Sequence, residues 1–184
     1  NNEPEIYEKI AKISMISDWI LAKLSDIIAT EPSNAGTTGI FSLSSRDWAK
    51  QQAKEVGLID DIFPQVYEPS EIIGKVTTRA SGQSGLSEDT IVVMGGGDVQ
   101  LGSIGLGVVN EGDVAILGGS FWQQVVNISS STLPPQDMSI RVNPHVINGL
   151  SQAEGITFFS GLIMRWFRDA FCDMEKIEAQ KRGI

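Results

Sequence analysis

Cysteine and histidine are nearly absent from this chain, which has one of each among 184 residues, Cys172 and His145. A single cysteine excludes an intrachain disulfide and suits a reducing cytoplasm, where we expect the protein to be. One cysteine and one histidine are too few for a structural zinc site. A Ser-His-Asp or Cys-His catalytic group would have to use His145, which lies in the strand-like run RVNPHVING without a G-x-S-x-G motif. We therefore predict a structural role for His145.

Positive charge is also scarce, since 14 lysines and arginines stand against 23 aspartates and glutamates, for a net charge of −9. This balance argues against non-specific nucleic-acid binding, which needs a basic surface. It is compatible with a local pocket for a small phosphate. The chain also lacks an apolar run of about 20 residues and an N-terminal signal-peptide pattern, so we expect no membrane partner.

Hydrophobic periodicity divides the chain into short elements. Apolar residues recur at three-, four- and seven-residue spacing over residues 5–28, which predicts one amphipathic helix. The runs TIVVM (90–94) and DVAILGG (113–119) predict strands that each lead into a glycine turn. The aromatic segment at 155–183 predicts a helix with its aromatics in the core. The run VVNEGD (108–113) indicates a boundary between two units, and we expect both chain ends to be cuts inside a larger protein.

The stretch MGGGDVQLG, residues 94–102, places three glycines and Asp98 directly after a predicted strand. It fails the Rossmann pattern, because Gln100 stands where the last glycine is required, and it lacks the P-loop lysine after Gly102. Asp98 then has two open interpretations. It is a helix N-cap, worth about 1 kcal/mol, or a general base that takes a proton from a substrate hydroxyl at the carboxyl end of a strand. The glycines would then let a ligand approach the backbone.

The stretch ILGGSFWQQ, residues 116–124, is a second strand followed by glycines. It predicts either a plain hairpin turn or a phosphate-binding turn. In the second interpretation the N–H groups of Gly118, Gly119 and Ser120 hold a phosphate, and the Ser120 hydroxyl is a further donor. An acid on one turn and donors on the other match the needs of phosphoryl transfer, a base for the nucleophile and donors for the phosphate oxygens.

Five segments together resemble the FGGY carbohydrate kinases of the ribonuclease H-like (hexokinase/actin) ATPase superfamily: ISDWILAKLSD, TEPSNAGTTGIFSLSSRDW, EPSEIIGKVT, VVMGGGDVQLGSIGLGVV and AILGGSFWQQ. The resemblance covers nearly the whole chain. It implies an α/β fold that is partial, with residues 1–109 as the end of the first lobe and residues 110–184 as the start of the second. The family's first phosphate hairpin and its adenosine motif are missing, so we expect the 184 residues alone to be inactive.

The resemblance also implies roles for individual residues. Asp98 would be the catalytic base, with Gly97 and Gln100 beside it as substrate-binding residues. Gly118, Gly119 and Ser120 would hold the phosphates of ATP. Mg²⁺ would arrive with ATP and lie near Asp98, without a metal site built by this segment alone.

Further motifs narrow the resemblance to a subgroup that phosphorylates a linear dihydroxy-pentanedione signal molecule: PSNAGTTG, GGSFWQQVVN, RVNPHV and GLIMRWFRDAFC. Two departures from the sugar kinases proper, Val99 after the acid and Gly119 in the usual threonine position, put a pentulose or glycerol substrate in doubt. The subgroup implies the phosphocarrier HPr as a partner, and a homo-oligomer is allowed. The alternatives are another FGGY kinase for a ketose such as xylulose, and a relative that binds a ligand or a protein without catalysis.

Overall fold

The structure is a computed structural model that describes residues 3–132, 134–135, 137 and 139–183. The described residues form eight α-helices: α1 (Pro4–Tyr7), α2 (Ile16–Ser25), α3 (Pro32–Ala35), α4 (Lys50–Glu55), α5 (Thr78–Ser84), α6 (Asp98–Gly105), α7 (Ser160–Phe171) and α8 (Asp173–Arg182). They also form ten strands: β1 (Ala29–Thr30), β2 (Phe41–Ser42), β3 (Asp47–Trp48), β4 (Gln65–Val66), β5 (Ile72–Lys75), β6 (Ile91–Val93), β7 (Val114–Gly118), β8 (Trp122–Ser129), β9 (Arg141–Pro144) and β10 (Leu150–Thr157).

The single helix predicted over residues 5–28 is wrong, because residues 8–15 between α1 and α2 are not helical. This segment instead runs along the turn at residues 60–62. The Ile13 N–H donates to the Ile62 carbonyl oxygen at 2.8 Å, and Ile10 and Ile13 pack against the cluster around Trp48 and Phe63. Burial against a partner element therefore overrides the helical periodicity.

The first part of the chain pairs its short strands two by two. Strands β1 and β4 are parallel, whereas the pairs β2–β3 and β5–β6 are antiparallel. Helix α2 lies over the β5–β6 pair. Its apolar face contacts a buried cluster formed by Ala29, Ile73, Val76, Ala80, Val92 and Met94. This packing places the end of β6, and the glycine turn that follows it, at the edge of a well-covered layer.

The second part is built on one antiparallel sheet in the order β7-β8-β10-β9. Strand β8 pairs along its whole length with β10, from Ser129↔Leu150 to Trp122↔Thr157. Helix α6 covers one face, where Val108, Ala115 and Val125 are buried with Val99 and Leu117 packed against them. The predicted strands at residues 90–94 and 113–119 correspond to β6 and β7. Sheet and helix together fix the distance between the two glycine turns.

Residues 143–147, at the end of β9 and directly after it, pack against the first part of the chain. The Arg46 guanidinium donates to the His145 carbonyl oxygen at 3.2 Å. His145 is 0% exposed, and its Nδ1 accepts a hydrogen bond from the Ile147 N–H at 2.9 Å. Burial, aided by the charge of Arg46, lowers the pKa of the His145 imidazole below its usual value. The structural role predicted for His145 fits this buried position.

Aromatic side chains of α7 are exposed, although the sequence predicts them in a core. Trp166, Phe167 and Phe171 of α7, and Phe159 directly before it, are each at least 49% exposed. No strand or helix among the described residues covers this face, because α7 contacts mainly α8 and the turn before β8. No helix in the described part of the chain is both long enough and apolar enough to cross a membrane.

Candidate functional site

Asp98 is the first residue of α6, and its side chain is exposed. The N-cap of α6 is Gly97, in an extended conformation with φ −60° and ψ 143°. The predicted N-cap role of Asp98 is therefore wrong by one position. Its Oδ1 accepts a hydrogen bond from the Val99 N–H at 2.8 Å. A carboxylate in the first turn of a helix is stabilised by the helix dipole, and here it stays accessible to a ligand.

Packing explains two of the three glycines before Asp98. A Cβ on Gly96 would overlap Cγ1 of Val146, and a Cβ on Gly97 would overlap Oε1 of Gln100. A Cβ on Gly95 would meet no atom within 4 Å. Close internal contact thus requires a small residue at 96, whereas at 97 the overlapping atom is the end of a flexible side chain and the requirement is weaker. Room for a ligand remains a hypothesis for Gly95.

Gly97 and Gln100, the predicted substrate-binding residues, support the turn from inside. The Gly97 N–H donates to Ser33 Oγ at 2.7 Å in a buried contact. The Gln100 side chain is 6% exposed and folds back over Gly97. Neither residue lines the cavity beside Asp98. The structure therefore does not bring them into contact with that space.

The second glycine turn is a hairpin between β7 and β8, closed by the pair Gly118↔Trp122. The Gly119 N–H donates to the Phe121 carbonyl oxygen at 2.9 Å, so one of the three predicted phosphate donors is already engaged. Ser120 is exposed, and neither its N–H nor its hydroxyl has a hydrogen-bond partner among the described residues. The turn is a hairpin in geometry, and Ser120 is its free donor.

The two turns line one cavity of about 280 Å³. Four of the residues predicted from the sequence meet there: Asp98, Gly118, Gly119 and Ser120. The remaining walls are Val99, Leu117, Phe121 and Gln123. The Gln123 amide donates to Glu154 Oε1 at 2.6 Å, which fixes that wall. A carboxylate and a hydroxyl therefore face the same small space from two different elements.

Close packing against the start of α7 holds the hairpin turn. A Cβ on Gly161 would overlap the carbonyl oxygen of Gly119, so the two backbones touch. The Phe121 ring meets the Phe158 and Phe159 rings edge to face, at centroid distances of 5.6 and 6.2 Å. Only a glycine permits this approach, and the aromatic contacts add to it.

A buried polar layer anchors α6 to the sheet, and sequence reasoning missed it. The Gln152 amide donates to Ser103 Oγ and to Asn127 Oδ1, both at 3.0 Å. The Asn127 amide donates to the Val108 carbonyl oxygen at 3.2 Å. All three side chains are fully buried. The sequence contains one signal of this layer. Side chains alternate between the two faces of a strand, so Asn127, two residues after the buried Val125, is a polar residue at a position that faces inward.

The donor set of the cavity fits the phosphate end of ATP. The hydroxyl of Ser120 can donate to a phosphate oxygen, and Asp98 is the one carboxylate in the lining. The described residues contain no cluster of three or more metal-binding side chains. Mg²⁺ bound to ATP could use Asp98 as a protein ligand, because carboxylate oxygens suit this ion.

A larger cavity of about 650 Å³ lies near β3 and contains none of the predicted site residues. Its charged side chains are of both signs: Lys12, Arg46, Asp47, Lys50, Glu68 and Glu71. Arg46 is already bound to Glu68 through two hydrogen bonds, at 2.9 and 2.6 Å. Charges that neutralise one another offer no clear preference for a ligand.

Comparison with known proteins gives the family. Residues 1–105 match the model of the FGGY family of carbohydrate kinases, N-terminal domain. The chain is 57% identical over all 184 residues to an autoinducer-2 kinase of Enterobacter sp. (strain 638), and 56% identical to one of Klebsiella pneumoniae. It spans 34% of the length of each of these curated relatives.

Solved structures show the same fold at low sequence identity. A ligand-bound xylulose kinase from Lactobacillus acidophilus superposes on 94% of this chain with a TM-score of 0.85 at 21% identity, over 35% of its own length. Glycerol kinase with ADP from Plasmodium falciparum superposes on 91% of this chain, and on 35% of its own, with a TM-score of 0.74 at 18% identity. The predicted fold class, a partial α/β sugar-kinase fold, is confirmed. The chain belongs to the FGGY family of carbohydrate kinases.

Proposed function

We propose that the full-length protein transfers the γ-phosphoryl group of ATP to the terminal hydroxyl of a small polyol-like substrate. One observation carries this proposal: Asp98 and the hairpin turn at Gly118–Ser120 line the same cavity, although they come from different elements. Phosphoryl transfer needs a base beside the attacking oxygen and donors at the phosphate oxygens. The cavity offers one of each.

In this mechanism Asp98 accepts the proton of the substrate hydroxyl as its oxygen attacks the γ-phosphorus. Its place in the first turn of α6 holds the carboxylate at the wall of the cavity, where a substrate hydroxyl can reach it. Ser120 donates from its hydroxyl, and from its free N–H, to the phosphate oxygens as negative charge shifts during transfer. Mg²⁺ bound to ATP would neutralise part of that charge. Leu117 and Phe121 form the apolar side of the cavity.

Within the sugar-kinase class we propose autoinducer-2, in its linear dihydroxy-pentanedione form, as the substrate. The support is the identity of 52–57% to three proteins named autoinducer-2 kinase, over at least 98% of this chain. Xylulose or another ketose is the alternative, because xylulose kinases share the fold at about 20% identity. A relative that binds a ligand or a protein without catalysis is the second alternative.

The remaining parts of the proposal concern organisation and setting. We assign residues 1–109 to the end of the first lobe and residues 110–184 to the start of the second, supported by the family match to an N-terminal domain at 1–105. A cytoplasmic location suits an ATP-dependent reaction and a chain with one cysteine. HPr as a partner and a homo-oligomer stay predictions of the family resemblance.

A substrate panel on the full-length protein tests the function. Autoinducer-2 precursor, xylulose, ribulose and glycerol are each supplied with ATP and Mg²⁺, and ADP release and phosphorylated product are measured. We expect turnover on the signal molecule at the highest kcat/KM. Preferential turnover of xylulose would show that xylulose, and not autoinducer-2, is the substrate. Tight binding without turnover would favour the non-catalytic alternative.

A further inference from the structure

We propose that Ser33 positions the Asp98 carboxylate. The Ser33 hydroxyl, which is anchored to the buried Glu31, holds the backbone amide of Gly97, the residue directly before Asp98. The inference rests on the proposed function, since it assigns Ser33 and Glu31 a part in the same site. Neither residue lines the cavity, so both act through the backbone of the turn. We call them positioning residues.

The first link joins two segments that are 64 residues apart in sequence. The Gly97 N–H donates to Ser33 Oγ at 2.7 Å, and the contact is buried. Gly97 is the N-cap of α6, so its backbone sets the direction in which the next residue leaves the turn. A displacement of the Gly97 amide would be passed directly to Asp98.

The second link fixes the Ser33 hydroxyl. Glu31 is 1% exposed, and its Oε2 accepts from both the N–H of Ser33, at 2.6 Å, and its hydroxyl, at 2.7 Å. Its Oε1 accepts from the Asn34 N–H at 2.8 Å. The hydroxyl has one hydrogen, and donating it to Glu31 leaves an oxygen lone pair for Gly97. Donors and acceptors are therefore matched along the chain of hydrogen bonds that runs from Gly97 through Ser33 to Glu31.

The turn depends on this hydrogen bond because its three glycines have no side chains that could hold the backbone in place. Residues 95–97 have no side chains, and a Cβ on Gly95 would touch nothing within 4 Å. Gly96 is held by packing against Val146. A glycine backbone without a hydrogen-bond anchor samples many conformations. Loss of the Ser33 hydroxyl would therefore leave Asp98 at the end of a mobile turn and a buried N–H without an acceptor.

Ser33→Ala in the full-length protein tests the inference, with Ser25→Ala as the matched control. Ser25 is also a buried serine; its hydroxyl donates to the Leu21 carbonyl oxygen at 2.9 Å and accepts from the Ile27 N–H at 3.2 Å. It lies at the end of α2, outside the cavity. Three quantities are compared: the melting temperature, kcat with KM, and amide hydrogen exchange of the peptide that covers residues 95–101.

Both alanine variants should lose stability, but only Ser33→Ala should lose function. A shift of the base by about 1 Å lowers kcat about a hundredfold, with KM for ATP changed by less than about threefold. Exchange at residues 95–101 should accelerate by at least about tenfold in Ser33→Ala and stay at the wild-type rate in Ser25→Ala. Ser33→Cys gives a side chain of similar volume, but its sulfur is a poor hydrogen-bond acceptor. This variant should stay folded and show the same loss of kcat and the same faster exchange as Ser33→Ala.

Unchanged kcat and unchanged exchange at residues 95–101 in Ser33→Ala and Ser33→Cys would overturn the inference. A wild-type protein without kinase turnover would instead overturn the proposed function. In that case the exchange measurement still decides whether Ser33 holds the turn. The two failures therefore give different results.

Discussion

Gly161→Ala should disturb the proposed phosphate turn from outside the cavity. In a helix this substitution is usually stabilising by up to about 1 kcal/mol. Here the new Cβ would overlap the carbonyl oxygen of Gly119, a backbone atom that cannot rotate away. Moving a packed backbone costs about 1–3 kcal/mol, so the net effect is a loss of up to about 2 kcal/mol. A shift of Ser120 by about 1 Å would also lower kcat about a hundredfold.

The matched control is Gly82→Ala, because Gly82 lies inside α5 and its Cβ would meet no atom within 4 Å. This variant should raise the melting temperature and keep kcat at the wild-type value. Both variants are made in the full-length protein, and melting temperature and steady-state kinetics are measured. If Gly161→Ala also raises the melting temperature and keeps full kcat, the reasoning about the turn is wrong.

Two further predictions concern buried polar groups. Ser103→Ala removes an acceptor of the Gln152 amide and should lower the free energy of unfolding by about 1–3 kcal/mol in a denaturant titration; a loss no greater than that of Ser87→Ala at the surface would refute this. Burial raises the pKa of Asp18, so the folded protein holds a proton there more tightly than the unfolded chain does. The contribution of this proton to the free energy of unfolding is complete below about pH 4 and is lost as pH rises through the folded pKa. Melting of Asp18→Asn should therefore improve relative to wild type between about pH 4 and about pH 7, and a pH-independent difference would contradict it.

Short-range patterns in this sequence predict the two strands and their glycine turns better than they predict the helices. The runs at residues 90–94 and 113–119 form strands that end in turns. β-Branched residues favour strands and glycines favour turns through the local backbone, so a short stretch of sequence is enough to predict both. Asp98 and Ser120 meet in one cavity, as the two-turn pattern predicts. Their roles in catalysis remain predictions.

The errors come from contacts between distant segments, which a local pattern does not contain. The helix predicted over 5–28 breaks because Ile13 bonds to Ile62. The support of Gly97 by Ser33 links positions 64 residues apart. Position 96 needs a glycine because Val146, which is distant in sequence, packs against it. The sequence alone does not show this contact, so from the sequence the glycine is interpreted as room for a ligand. The aromatics of α7 follow helical periodicity without a covering element among the described residues.

Asp98→Asn in the full-length protein is the most direct test of the proposed base. An asparagine Oδ1 can still accept from the Val99 N–H, and Gly97 remains the N-cap, so only the loss of one charge in the first turn should affect stability, by at most about 1 kcal/mol. Asp89→Asn, at an exposed ion pair with Lys75, controls for loss of a carboxylate elsewhere.

The measurement is ATP-dependent phosphorylation of autoinducer-2 by wild type, Asp98→Asn and Asp89→Asn, with melting temperatures of all three. We expect Asp98→Asn to lose at least about a hundredfold in kcat at a nearly unchanged melting temperature, and Asp89→Asn to retain wild-type kcat. Turnover by Asp98→Asn close to the wild-type rate would contradict the role of Asp98 as the base.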